Sequence, residues 1–168
     1  MAKNLKILIF PDPRLRTVAK KIKKFDKSLE KLANSMLTTM YDANGIGLAA
    51  TQVNEHIRLI VMDLSENRDN PMIFINPTYK ILENHELFEF EEGCLSIPGF
   101  NEIIARPDKI ELKWQDINGK EHISRPEGLL TVCIQHEIDH LEGKLMVDYV
   151  SALKRDRVRK RLLKEYNR

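Results

Sequence analysis

The sequence contains little cysteine and no long apolar run near its start. Its 168 residues include only Cys94 and Cys133, too few for the disulfide framework of a small secreted protein. The first apolar run spans only Ile7 to Phe10, whereas a signal-peptide core needs ~7–15 apolar residues and a membrane-spanning helix needs ~20. These absences predict a cytoplasmic protein that has no membrane partner.

The total charge is small, but it is unevenly distributed along the chain. The formal net charge is +2. Residues 151–168 carry eight basic and two acidic side chains, a net charge of +6, which leaves −4 for the first 150 residues. A basic segment on a mildly acidic body indicates either an anionic partner or a solvated helix that aids solubility. The sequence alone leaves both interpretations open.

Three helices are predicted from apolar periodicity and capping residues. The first covers residues 26–43, with Asp26 as its N-cap and Asn44-Gly45 as its stop signal. The second runs from Gly128 to Glu142 and ends at Gly143. The third is the basic C-terminal helix, which Ser151 is expected to cap.

Short strands are predicted between the first two helices. Segments 57–63, 72–76 and 102–106 have strand patterns, and Asn76-Pro77 is expected to close the second of them. Alternation on both sides of Asn118-Gly119 predicts a hairpin. One helix before the strands and one after them predict an α+β fold rather than a doubly wound sheet. We expect one domain over residues 1–168, in which short antiparallel strands pack around the central second helix.

The second helix carries the most specific motif, His136-Glu137-Ile138-Asp139-His140. Positions four apart lie one helical turn from each other, so both imidazoles can reach one metal ion at ~2.0–2.1 Å. Glu137 is turned ~100° around the helix, where it can approach a water molecule beside the ion as a general base. Because this helix is apolar, the three groups are predicted to be buried, and burial of unpartnered polar groups is costly. The pattern therefore favours a metal site over core histidines.

The third metal ligand decides the class of site. One zinc-protease extension requires a histidine where Met146 stands, and Glu165 is the only acid far enough downstream in the basic segment. Cys133 lies ~10.5 Å along the helix from His140 and more plausibly packs in the core. Cys94, in the bent segment Glu91-Glu-Gly-Cys-Leu-Ser-Ile-Pro-Gly99, offers a thiolate that would complete an open Cys/His/His site.

A third segment, Gly45-Ile-Gly-Leu-Ala-Ala-Thr-Gln-Val53, follows the first helix. It lacks the third glycine and the strand-turn-helix context of a dinucleotide-binding loop. Gln52 offers an amide that can donate to a developing oxyanion. An ordinary loop between a helix and a strand explains the same residues, so this segment alone does not identify a site.

Taken together, "GIGLAATQ", "EGCLS" and "QHEIDHLEG" resemble the three signature motifs of the bacterial peptide deformylases, in the same order and at similar separations. The resemblance extends from "PDPRLR" near the N-terminus through "SENRD" to "MVDYVS". It implies removal of the formyl group from N-formylmethionine at the start of nascent chains, with release of formate. It also implies a metal held by Cys94, His136 and His140, with Glu137 as acid and base.

The resemblance assigns further residues and partners. The Gln52 side chain and the Leu95 N–H would bind the formyl oxygen. The residues expected to bind substrate are Ile46, Phe90, Leu129, Val132 and Cys133 around the methionine side chain, with Gly47 and Gly93 pairing with the peptide backbone. The ion would be one Fe(II) per chain in the cell, with zinc, nickel or cobalt able to replace it. The basic helix of residues 151–168 would bind ribosomal RNA and protein near the tunnel exit, and Glu92 and Arg106 would form an ion pair.

Two rival functions remain open from the residues alone. A His-Glu-x-x-His metalloendopeptidase would need a different third ligand and would cleave internal peptide bonds. A ribosome-binding module would use the metal only to stabilise its fold, which requires four protein ligands. His56, His85 and His122 lie in polar segments unrelated to the motif, so no fourth ligand is evident.

Overall fold

The computed structural model describes residues 2–166, which form three α-helices and seven β-strands. The helices are α1 (Lys27–Asp42), α2 (Leu129–Leu141) and α3 (Ala152–Tyr166). The strands are β1 (Gly47–Ala49), β2 (Leu59–Met62), β3 (Met72–Ile81), β4 (Leu87–Gly93), β5 (Asn101–Pro107), β6 (Ile110–Gln115) and β7 (Glu121–Ser124). Short 3₁₀ helices lie at Pro13–Arg16, Ala50–Val53 and Met146–Tyr149. Within the described range, no helix is long and apolar enough to cross a membrane.

The strands form one five-stranded sheet and one separate pair. The sheet has the order β1-β2-β3-β6-β7, and β4 pairs with β5; every pairing between these strands is antiparallel. Successive residues of a strand point to opposite faces, so Leu59 and Val61 pack in the core that contains α1, whereas Ile60 and Met62 pack against α2. The sheet therefore lies between two helices, which confirms the predicted α+β fold with α2 at its centre.

Local chemistry accounts for the helix ends. The Asp26 carboxylate accepts a hydrogen bond from the Leu29 N–H at 3.0 Å, and Asn44 adopts a φ of 58° just after α1. The Ser151 hydroxyl accepts from the Lys154 N–H at 3.2 Å at the start of α3. Side-chain caps of this kind satisfy backbone donors that have no partner within the helix, so the predicted caps at Asp26 and Ser151 are confirmed.

The prediction that Asn76-Pro77 closes the second strand is wrong. Strand β3 continues to Ile81, with an irregular register against β6 between Ile75 and Thr78. Asn76 has a φ of 52°, and its side chain donates to the Ile22 carbonyl and accepts from the Ile22 N–H, both at 2.8 Å. A bulge accommodates a proline that cannot donate a ladder hydrogen bond, so the strand resumes after it.

Strand β4 was not expected from the sequence. Its residues Leu87 to Glu91 are exposed, and only Glu92 is buried. Phe88 to Glu91 alternate between phenylalanine and glutamate, which is a strand pattern, but neither face of this stretch is buried. The structure defines the strand by its pairing with β5, from Leu87 opposite Pro107 to Gly93 opposite Asn101.

The basic C-terminal segment forms a packed helix rather than a free tail. Val158 and Leu162 of α3 are buried against Phe10, Ile97 and Ile104. On the same side, Arg161 Nη2 donates to the Pro98 carbonyl at 2.8 Å. Helix α3 thus covers the loop that follows Cys94. The last basic residue, at position 168, lies outside the described residues.

Candidate functional site

Helix α2 brings the two motif histidines together beneath the surface. Their ring centroids are 5.1 Å apart, and His136 and His140 are 8% and 1% exposed. The helix is buried on several sides because it packs against β1 and β2 of the sheet and also contacts β5 of the separate pair. An apolar sequence around polar motif residues therefore folds into a buried helix that carries polar groups at its centre.

Cys94 completes the cluster from the loop after β4. The loop turns at once, because the Ile97 N–H donates to the Cys94 carbonyl at 3.0 Å. The Cys94 Sγ lies 3.3 Å from His140 Nε2. The ligand atoms of Cys94, His136 and His140 all lie within 4.8 Å of one another. These residues could hold a divalent metal ion, because one thiolate and two imidazoles suit such an ion and leave a coordination position open.

Glu92 determines which nitrogen of His136 can act as a ligand. The His136 Nδ1–H donates to Glu92 Oε1 at 2.8 Å, so Nε2 is the nitrogen left for the ion. Burial opposes ionisation of Glu92, but hydrogen bonds from His136 and Arg106 outweigh it and hold the pKa of Glu92 below its ordinary value. The expected pair between Glu92 and Arg106 is confirmed as a bidentate contact at 2.6 and 2.9 Å.

Glu137 is suited to proton transfer. It is 5% exposed, and burial raises the pKa of its carboxyl group to about 7. Its Oε2 has no hydrogen-bond partner among the residues that the structure describes. A buried carboxylate with a free oxygen beside a cavity can exchange a proton with a molecule that enters the cavity, which also fits a site that holds an ion and water.

The amide of Gln52 is held in a defined orientation. The Ala49 N–H donates to Gln52 Oε1 at 2.9 Å, which identifies the opposite atom of the amide as nitrogen. Gln52 Nε2 then donates to Ser96 Oγ at 3.0 Å and lies 3.7 Å from Cys94 Sγ. Nearby, the Leu95 N–H makes no hydrogen bond within residues 2–166. The Gln52 amide and the Leu95 N–H are therefore two donors beside Cys94, His136 and His140, which we call the metal-ligand cluster.

A mainly apolar cavity of about 420 Å³ opens next to these groups. Most of the residues predicted to form the site line it: Ile46, Gly47, Gln52, Phe90, Gly93, Cys94, Leu95, Val132, Cys133, His136 and Glu137. Leu129 does not line the cavity. It is the first residue of α2, about one turn before Val132, and it is 37% exposed. His140 is fully buried and also does not reach the cavity wall.

Three residues near the cluster were missed at the sequence level. Ser96 is fully buried and contacts Gln52, while Asp139 and Tyr149 contact Arg106. Asp139 lies inside the motif, between the two histidines. A further acid on a helix that is predicted to be buried needs a partner, and this need is a sequence signal of a second interaction. No sequence pattern predicts the contact between Tyr149 and Arg106, because this contact depends on where the 3₁₀ helix after α2 lies in the fold.

Comparison with known proteins assigns the family. The family model described as polypeptide deformylase matches residues 4–156. The chain belongs to the peptide deformylase family. Members of this family are enzymes of the hydrolase type, so the chain is an enzyme, and the resemblance seen in the three motifs is confirmed. No metal identity follows from the match.

Individual relatives agree over nearly the whole chain. A peptide deformylase of Saccharophagus degradans is 57% identical over 162 residues, 96% of this chain and 94% of that protein. The peptide deformylase of Pseudomonas aeruginosa is 54% identical over 96% of each chain. A crystal structure of the Legionella pneumophila enzyme gives a TM-score of 0.89 at 46% identity, covering 98% of this chain and 96% of that one. The Ehrlichia chaffeensis enzyme in complex with actinonin gives 0.92 at 37% identity, covering 99% of both chains.

Proposed function

We propose that this enzyme removes the formyl group from the N-terminal formylmethionine of newly made polypeptides and releases formate. The observation that carries the proposal is the meeting of Cys94, His136 and His140 beside Glu137, at the edge of a mainly apolar cavity. A closed structural metal site would use four protein ligands. The open position in this cluster favours hydrolysis.

Cys94, His136 and His140 would hold one divalent ion, which supplies Lewis-acid polarisation of a carbonyl oxygen and acidifies water when it is bound. We propose Fe(II) in the cell, with zinc, nickel or cobalt able to occupy the same ligands. Intrinsic affinities rise from Fe(II) towards copper, so cellular availability rather than affinity must select iron. The thiolate and imidazole donors accept all of these ions.

Glu137 would move the proton in the reaction. Its free Oε2 takes a proton from water as that water attacks the formyl carbon, and it then delivers the proton to the departing amine nitrogen. Burial raises the pKa of Glu137 to about 7 in the absence of an ion. A group that both takes and gives a proton near neutral pH works best with a pKa close to the working pH.

Gln52 and Leu95 would stabilise the negative charge that develops on the formyl oxygen. Gln52 Nε2 is held by its hydrogen bond to Ser96 and by the contact of Oε1 with the Ala49 N–H. Donors that are fixed before the reaction need no reorganisation when charge develops, and removing one typically costs ~10²–10³ in kcat. The Leu95 N–H supplies the second donor.

The cavity would receive the methionine side chain. Ile46, Phe90, Val132 and Cys133 provide apolar surface on its wall, and burial raises the pKa of the Cys133 thiol to about 12, so this thiol remains neutral. Gly47 is the first residue of β1, Gly93 is the last residue of β4, and both line the cavity. Their backbones would pair with the peptide as an added strand.

Exposed basic residues of α3 would bind the ribosome in the cytoplasm. Arg157, Arg159 and Lys164 are exposed and form no ion pair within the described residues. We propose that they contact ribosomal RNA phosphates near the tunnel exit, where nascent chains emerge. Changing these three residues to Gln should weaken ribosome co-sedimentation and reduce its dependence on salt. Changing the exposed Lys21 and Lys23 to Gln is the control, and equal loss in both variants would contradict a specific role of α3.

Formate release from a formyl-methionyl tripeptide tests the enzymatic proposal, together with metal analysis of the same anaerobic preparation. Glu137→Gln should lower kcat by about 10²–10⁴ while metal content is unchanged. Glu89→Gln, which removes the same charge from an exposed position of β4, should retain full activity. Inactivity on the formylated peptide combined with cleavage of internal bonds in casein would instead support a metalloendopeptidase.

A further inference from the structure

We propose that Asp139 and Tyr149 are positioning residues for the metal ligand His136 and that they act through Arg106 and Glu92. The inference rests on the proposed function, because it concerns the same metal centre. It is carried by an uninterrupted series of hydrogen bonds that leads from His136 Nδ1 to the protein surface. Neither Asp139 nor Tyr149 reaches the metal-ligand cluster directly.

The series joins four separate elements. His136 Nδ1 donates to Glu92 Oε1 at 2.8 Å, and Arg106 donates to both Glu92 oxygens. The remaining terminal nitrogen of Arg106, Nη1, donates to Asp139 Oδ2 at 2.9 Å. The Tyr149 hydroxyl then donates to the same Asp139 oxygen at 2.6 Å. Strands β4 and β5 are thereby linked to α2 and to the 3₁₀ helix that follows it.

Arg106 divides its positive charge between two carboxylates. The side chains of Glu92 and Arg106 are 4% and 3% exposed, so neither can be stabilised by bulk water. Arg106 carries one positive charge and contacts two carboxylates, those of Glu92 and Asp139. Without Asp139, Arg106 would interact with Glu92 alone and would reduce the negative charge that His136 encounters.

Tyr149 holds Arg106 in place from the outside. Its ring lies 5.0 Å from the Arg106 guanidinium carbon, and its hydroxyl also accepts from Arg106 Nη1 at 3.4 Å. The residue is 46% exposed, so it forms the boundary between the buried series and solvent. The hydroxyl fixes the Asp139 carboxylate, and Asp139 in turn fixes the direction of the guanidinium towards Glu92.

The series also determines how Cys94 meets the histidines. Glu92 lies two residues before Cys94 in β4, and Asp139 lies between the two histidines on α2. Arg106 contacts both carboxylates, so it joins the segment that carries the thiolate to the helix that carries the imidazoles. Loosening this connection should increase the freedom of the ligands before an ion binds and so weaken metal affinity.

The test measures metal affinity in the full-length protein rather than activity. Zinc and cobalt dissociation constants are determined by chelator competition for the parent protein, Tyr149→Phe and Asp139→Asn. Loss of a partner of a ligating histidine typically weakens affinity ~10–100-fold. We expect about tenfold for Asp139→Asn and about threefold for Tyr149→Phe, which retains the ring over Arg106. The visible spectrum of the cobalt form should shift in both variants.

Two further measurements separate positioning from general stability. Tyr41→Phe removes a similar hydroxyl contact, the 2.5 Å bond from Tyr41 to Asp63, and should leave metal affinity unchanged. In a Glu92→Gln background, Tyr149→Phe should cause no additional loss, because coupled residues are not additive. Unchanged affinity and cobalt spectrum in Tyr149→Phe, or full additivity with Glu92→Gln, would overturn the inference. Failure of the parent protein to bind zinc or cobalt would instead refute the proposed function.

Discussion

A methyl group at position 47 would displace the proposed catalytic base. Gly47 begins β1, and a Cβ built on it would lie 2.6 Å from Glu137 Oε1 and 3.2 Å from Glu137 Cδ. Favourable contacts between nonbonded heavy atoms begin at ~3.5 Å, so the carboxylate must move by roughly 1 Å. Gly47 has no positive φ, so alanine introduces no backbone strain. Gly47→Ala therefore perturbs mainly the position of Glu137.

The expected effect is large on activity and small on metal binding. Misplacing a reacting group by ~1 Å can cost ~10² in rate, so kcat for formate release from a formyl-methionyl tripeptide should fall by about that factor. Zinc affinity should stay within about twofold, because the three atoms nearest to the added Cβ all belong to Glu137. Overpacking a buried site typically costs ~1–3 kcal/mol, which denaturant unfolding can measure.

A double-mutant cycle identifies the cause. In a Glu137→Ala background, Gly47→Ala should cost almost no stability, because the group it contacts is absent. A kcat within threefold of the parent would refute the reasoning. So would a stability cost that is unchanged by Glu137→Ala. If the methyl group instead blocked the peptide, KM would rise while kcat stayed constant.

Three other substitutions test separate parts of the structure. Ser96→Ala removes the acceptor that orients Gln52, so kcat should fall about tenfold, less than the ~10²–10³ lost when an oxyanion donor is removed, while KM changes less than twofold. Leu162→Ala creates a cavity at a position that is 1% exposed and should lower the free energy of unfolding by about 2–5 kcal/mol in urea titrations. Asn76→Ala removes three hydrogen bonds, two of them to Ile22, and should cost about 3 kcal/mol by the same measurement; a cost below about 1 kcal/mol would contradict its role in the bulge.

Local signals in the sequence predicted those parts of the structure that depend on neighbouring residues. Asp26 caps α1 and Gly119 adopts a φ of 84° in the hairpin turn, because a carboxylate beside free N–H groups and a glycine in a tight turn act within a few residues. The spacing of His136 and His140 predicted that their side chains lie together, for the same reason. Helical geometry alone placed both side chains on one face.

Tertiary pairing accounts for what the sequence did not predict. Strand β4 alternates between phenylalanine and glutamate from Phe88 to Glu91, but both faces of this stretch remain exposed, so its apolar residues mark no buried face. The contact between Arg106 and Asp139 spans 33 residues, and no spacing rule connects positions so far apart. The proposed cysteine ligand is an intermediate case. Helical geometry made Cys133 the less favoured ligand, and Cys94 was chosen because the helix lacked one ligand and the three motifs resembled a known family.

Helix α3 packs on the core through its buried residues, and the proposed ribosome contact uses its exposed basic residues. Val158 and Leu162 are buried against the loop that follows Cys94, whereas Arg157 and Lys164 are exposed. Positions 157 and 164 are seven residues apart, so they lie on nearly the same side of the helix. Contacts with ribosomal phosphates can therefore use the outer residues while the inner ones keep the metal-ligand loop in place. This separation of faces is why charge-removing substitutions on α3 should reduce ribosome binding and leave hydrolysis of a free peptide unchanged.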